Sequence, residues 1–136
     1  MLLLGIDFGD SRTGLAVSNA LGIATPFYTL FEKSQNKLIN SIIAIIEEKN
    51  IEKVVLGLPI DSRSAIGERA NKTKAFGEKL IQKCNVPVEY YDERYSSKIA
   101  QNSLNFIESK NKKQVKDSIA AAIILQGYID KNSNNK

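Results

Sequence analysis

The run KVVLGLP, residues 53–59, constrains the fold most. Val54, Val55, Leu56 and Leu58 leave no polar face, so the strand they predict has to be covered on both sides. It lies between two segments with helical spacing. QNKLINSIIAIIEEKN, residues 35–50, places Leu38, Ile39, Ile42, Ile43, Ile45 and Ile46 along one side of a helix. ERANKTKAFGEKLIQKC, residues 68–84, places Ala70, Thr73, Phe76, Gly77, Leu80, Ile81 and Cys84 on one face and basic residues on the other. A buried strand between two such helices belongs to an α/β domain, and it pairs in parallel with an earlier strand.

That earlier strand is LLLGIDF, residues 2–8, which reads as central. A tight Gly/Asp/Ser turn joins it to TGLAVSN, residues 13–19. IATPFYTL, residues 23–30, is a third strand, and its proline points to a sheet edge or a bulge. Beyond the second helix come a strand over VPVEYYDE (86–93), a helix over SSKIAQNSLNFIES (96–109), a basic connector (110–116) and an apolar helix over DSIAAAIILQGYID (117–130). Residues 61–67 read as a polar loop. The expected architecture is one domain over residues 1–130: an antiparallel meander, then crossovers, giving a mixed five-stranded sheet with helices on both faces. Residues 131–136 are expected to be a disordered tail.

Two absences narrow the chemistry. The chain has no histidine, which removes any mechanism that needs an imidazole base or ligand. It has one cysteine, Cys84, which can form neither an intrachain disulfide nor a cysteine zinc site and reads as core. No apolar run is long enough to span a bilayer, and MLLLGID reads as a strand and not as a signal peptide, so the expected location is cytoplasmic. The net charge of +4 suits a polyanionic partner without requiring one. Carboxylates and metal ions are the tools left for catalysis.

Three acids stand where those tools would be needed. Asp7 ends the first strand among Gly5, Gly9 and Gly14, which would let a backbone or a ligand approach closely. Glu93 ends the strand in YYDERYSS, and Asp117 opens the last helix. Taken singly, these are a turn aspartate, a salt-bridged rim glutamate and a helix N-cap. Taken together, they meet outside the carboxyl ends of the strands, where α/β sheets bind ligands. Three converging carboxylates repel one another unless cations lie between them, and Mg²⁺ suits an all-oxygen set of this kind. A pair of such ions supports phosphodiester hydrolysis.

GIDFGDSRTGLAVSN, VVLGLP, DERYSS and KDSIAAAIIL, in this order and spacing, resemble the YqgF/RuvX family. The resemblance covers residues 2–130. It implies a ribonuclease H-like fold similar to Holliday junction resolvases, with Asp7, Glu93 and Asp117 as catalytic, metal-binding acids. It implies a cofactor of Mg²⁺ or Mn²⁺, as two ions that can arrive with the substrate. The family is regarded as a nuclease maturing the 5′ end of 16S ribosomal RNA, and resolution of branched DNA is its older assignment. After GLP, many relatives carry Asn-x-Asp-Gly. This chain has Ile60-Asp61-Ser62-Arg63-Ser64, so no role is carried over to the loop Asp61–Gly67. Asn19, where relatives often have Asp, is a milder departure.

The basic candidates for nucleic-acid contact are Arg12 in the glycine-rich turn, Arg69 at the start of the second helix, Arg94 beside Glu93, and Lys112, Lys113 and Lys116 ahead of Asp117. Each also has a plain reading as a solvated surface cation. The expected partner is a ribosomal RNA precursor or particle, bound by a monomer or a weak homodimer. Three other readings are a junction resolvase, which needs a dimer to cut two strands symmetrically, a non-catalytic RNA-binding domain of the same fold, and an ATPase related to actin. DFGDSRTG resembles the phosphate loop of that last group, but the chain is long enough for only one of the two domains such proteins use.

Overall fold

The computed structural model describes residues 2–58, 64–92 and 112–134, with side chains at 64–68, 112–116 and 133–134 excluded. β1 (Leu3–Asp7), β2 (Arg12–Ser18) and β3 (Ala24–Phe31) form the meander. α1 (Gln35–Lys49), β4 (Lys53–Leu58), α2 (Ser64–Lys83), β5 (Val88–Asp92) and α3 (Lys112–Asn134) follow. The sheet order is β3-β2-β1-β4-β5. β1 pairs antiparallel with β2 and parallel with β4, and β4 pairs parallel with β5. The mixed five-stranded sheet is therefore as expected, with β1 at its centre.

Pleat alternation divides the sheet into two faces. Leu4, Ile6, Phe8, Leu15, Val54 and Leu56 face α1 and α2, where Leu38, Ile39, Ile42, Phe76 and Leu80 close the larger core. Phe8 and Phe76 stack there, with centroids 4.3 Å apart. Leu3, Ala16 and Val55 face the other way, against Ala121, Ile124 and Leu125 of α3. Cys84 packs at the margin of the larger core, partly buried, and Ile81 is the exception on its helix, 46% exposed.

Local signals set the element ends. The Ser34 hydroxyl caps α1 by accepting from the Lys37 N–H, and Asn50 closes that helix in a left-handed conformation. The Asn19 side chain accepts from the Leu21 and Ile23 N–H groups and ties the β2–β3 turn. β3 is an edge strand, and its register slips between Leu15 and Ala16, which pair with Tyr28 and Pro26. Proline at an edge bulge costs no ladder hydrogen bond, in keeping with the sequence.

Three expectations need correction. α2 begins at Ser64, so residues 64–67 are helix, not loop, and Arg69 lies in its second turn. α3 begins at Lys112, so Asp117 is inside the helix and does not cap it. Lysines favourable to helix carry the turn before Asp117, where the sequence shows only a charge run. At the other end α3 continues to Asn134, so residues 131–134 are helical and not a disordered tail. The expected helix over 96–109 lies outside the described residues.

Candidate active site

Asp7 is the last residue of β1, on the α3 face of the sheet. Its register partner on β2 is Gly14. A methyl group on Gly14 would overlap the backbone carbonyl of Asp117, so α3 lies directly on β2 at this point. The next crossing is at Gly5, where an added Cβ would come within 2.8 Å of Leu125 Cβ and 2.9 Å of the Ala121 carbonyl oxygen. From sequence, these glycines suggest clearance for a ligand. The structure gives that clearance to α3, whose small residues Ala121 and Ala122 let it approach further. The consequence for the site is the same: Asp117 is set beside the strand pair that carries Asp7.

Arg12 shares that face, two residues from Gly14 on β2. Its Nε lies 3.4 Å from Asp117 Oδ2. The Arg12 side chain is 41% exposed and that of Asp117 18%, so the pair opens to solvent on the arginine side. An exposed ion pair of this kind contributes at most about 1 kcal/mol to stability. Its larger effect is on position, since it holds a guanidinium at the rim beside the Asp117 carboxylate.

Glu93 follows directly after β5, which ends at Asp92, but lies outside the described residues, as does Arg94. Lys112, Lys113 and Lys116 are in the first turns of α3, and their side chains are outside the described set. Among the described residues, no three acids or thiols gather as a metal site. The structure therefore pairs Arg12 with Asp117 and lays the Asp117 backbone on Gly14, the register partner of Asp7. Arg69 lies on α2, at the same end of the sheet but on the opposite face.

The donor chemistry at Asp7 and Asp117 is carboxylate oxygen alone. That fits a hard divalent cation such as Mg²⁺ or Mn²⁺, and it does not fit soft metals. Lys72 is a neighbour that sequence reasoning missed. Its Nζ lies 3.9 Å from Asp10 Oδ2 at the β1–β2 turn. It follows Arg69 by three positions, and that spacing on a helix was the available signal.

A mixed sheet in this order, with an acid ending its central strand and another carried in by the last helix, defines a ribonuclease H-like domain. Solved structures agree on the fold. T. thermophilus RuvC in complex with a Holliday junction substrate superposes with a TM-score of 0.63 at 15% identity, covering 98% of this chain and 96% of that one. The fowlpox virus resolvase in its Holliday junction complex gives 0.58 at 12% identity, covering 97% and 99%. Within that class the chain belongs to the RuvX family, whose model, described as Holliday junction resolvase, matches residues 1–131. A relative from Agathobacter rectalis named "Putative pre-16S rRNA nuclease" is 39% identical, covering 100% of this chain and 99% of its own length. One of the same name from Rickettsia africae is 36% identical, covering 97% and 88%.

Proposed function

We propose that this chain is a divalent-metal-dependent endonuclease that matures the 5′ end of the 16S ribosomal RNA precursor. One observation carries the reading: α3 seats the Asp117 backbone on Gly14, the register partner of Asp7, so both aspartates belong to the same end of the central strand pair. The names of full-length relatives support the substrate.

Asp7, Asp117 and Glu93 would hold the metal ions. Bound there, the ions would supply a nucleophile at neutral pH and neutralise charge on the scissile phosphate. The protein's own part is orientation. The short approach of α3 fixes the Asp117 backbone, and the β1–β2 ladder fixes that of Asp7. Arg12 shields Asp117 and can turn its exposed guanidinium to a substrate phosphate. Arg69, Arg94, Lys112, Lys113 and Lys116 would add a basic surround for the polyanion. By analogy with the fold, hydrolysis would leave a 5′-phosphate and a 3′-hydroxyl. No helix among the described residues is long and apolar enough to cross a membrane. On the ribosomal-RNA reading, the activity belongs in the cytoplasm.

The second reading is a junction resolvase, favoured by the family's name and the resolvase folds. One experiment separates the two. Purified protein and Asp7→Asn are incubated with 16S precursor RNA and with a four-way DNA junction, each with Mg²⁺, Mn²⁺ or EDTA. Metal-dependent cutting of the RNA alone, reduced by about a hundredfold or more in the variant, is the expected result. Cutting of the junction alone would establish the resolvase, and a wild-type rate in Asp7→Asn would refute the mechanism. Binding of RNA without cutting of either substrate would point to a non-catalytic module.

A further inference from the structure

A cleft of about 190 Å³ opens between the β1–β2 turn and α2, lined by Phe8, Gly9, Asp10, Arg69, Lys72 and Thr73. It lies at the same end of the sheet as Asp7 but on the opposite face, because Phe8 points toward α2 and Asp7 toward α3. Only the turn beginning at Phe8 separates the two. Phe8 is nearly buried against Phe76 and gives the cleft a rigid floor. Thr73 is buried, and its hydroxyl donates to the Arg69 carbonyl at 2.9 Å, which leaves that hydroxyl committed to the helix. The charges that can meet a ligand are therefore three: Arg69, Lys72 and the Asp10 carboxylate.

Resting on the nuclease reading, we propose that this cleft binds a backbone phosphate of the RNA strand next to the one that is cut. Arg69 and Lys72 would be its ligands, and Asp10 the carboxylate it displaces. Both geometry and charge support this. A strand crossing the rim of the sheet presents one phosphate to the α3 face and a neighbouring one to the α2 face. Arg69 and Lys72, three apart on α2, project to the same side of the helix. The 3.9 Å separation of Lys72 from Asp10, with both side chains more than 60% exposed, is a loose pair that a phosphate can replace at little cost. The cleft gives the strand a second fixed point and thereby a direction across Asp7.

The test is RNA binding without divalent cation, read by fluorescence anisotropy of a labelled single-stranded RNA across a salt series. Every phosphate that the protein ceases to neutralise lowers the slope of log K against log salt by about 0.7. Arg69→Gln/Lys72→Gln is expected to lower it by about that amount and to weaken binding. Lys83→Gln, at the far end of α2, is expected to leave the slope unchanged. Asp10→Asn is expected to tighten binding, and the gain is expected to vanish in a Lys72→Gln background. An unchanged slope in the double variant, with wild type binding RNA, would overturn the subsite and leave the nuclease reading intact. A gain from Asp10→Asn that persists without Lys72 would overturn the exchange. Inorganic phosphate is expected to compete no better than chloride at equal ionic strength. Saturable competition that is absent from the double variant would make the cleft a free-phosphate site and overturn the assignment. A wild-type protein that binds no RNA under these conditions would overturn this proposal, while the nuclease reading is decided separately by the cleavage assay with Mg²⁺ or Mn²⁺.

Discussion

Two adjacent residues on β2 behave in opposite ways. Gly14 has no room for a side chain, because the Asp117 carbonyl occupies the space a Cβ would need. Gly14→Ala is expected to cost about 1–3 kcal/mol through overpacking. The melting temperature should fall by several degrees, and cleavage should fall at temperatures where the variant is still folded, because Asp117 is pushed from Asp7. Thr13, its neighbour, points to the other face and is fully buried, and its hydroxyl has no hydrogen-bond partner among the described residues. A buried unsatisfied hydroxyl costs about 1–3 kcal/mol, so Thr13→Val is expected to hold or raise the melting temperature and leave cleavage unchanged. A marked loss of stability would show that the hydroxyl has a role. Asp7 was legible in the sequence because an acid at the end of an apolar strand is conspicuous. The partner of Gly14 was not legible, since a glycine that admits a ligand and one that admits a helix look the same in one dimension.

At the scale of elements, α3 ties the sheet together. Its N-terminal part lies on β2, and its C-terminal part reaches β4 and β5 at the opposite end of the strands. There Tyr128 donates to the Glu89 carboxylate and accepts from Lys53 Nζ at 3.1 Å, while Lys53 and Glu89 pair at 3.3 Å. The hydrogen bond from Tyr128 holds the Glu89 carboxyl below its ordinary range. Tyr128 also raises the Lys53 ammonium, and desolvation raises the Tyr128 phenol. A lowered acid stabilises above its ordinary value, and that stability is lost as pH falls through the folded value. A raised lysine or phenol contributes stability that is full below its ordinary value and lost as pH rises through the folded one. Stability is therefore expected to be flat near neutrality, falling below about pH 4.5 and above about pH 10. Tyr128→Phe should lower the melting temperature at neutral pH, and the difference from wild type should narrow in acid as the Glu89 share is lost while the Lys53 share persists; a gap unchanged across pH would refute the linkage. The exposure of Glu89 keeps the effect small. The course of α3 was only half legible. Its apolar centre was plain from Ile119 to Leu125, but its first turn is written in lysines and its last in polar residues, and neither carries hydrophobic periodicity.

Over the whole molecule, the sheet was legible because each strand follows from a local pattern: a both-faces-buried run for β4, a glycine-rich turn between β1 and β2, and a proline on the β3 edge. The candidate site was legible as residue types and not as contacts, because its parts come from separate elements. Asp7 lies in the first strand and Asp117 in the last helix, and only the docking of α3 brings them together. The same docking covers Leu3, Ala16 and Val55, which β1, β2 and β4 leave bare until then. During synthesis the meander and its α1–α2 side can form first, but this face waits for α3. A ribosome-bound or prematurely ended chain without α3 therefore presents an apolar sheet surface and no paired carboxylates. On the nuclease reading, the protein cannot attack RNA before its own synthesis has reached that helix, and a truncated product is marked for aggregation or removal by the surface it fails to cover.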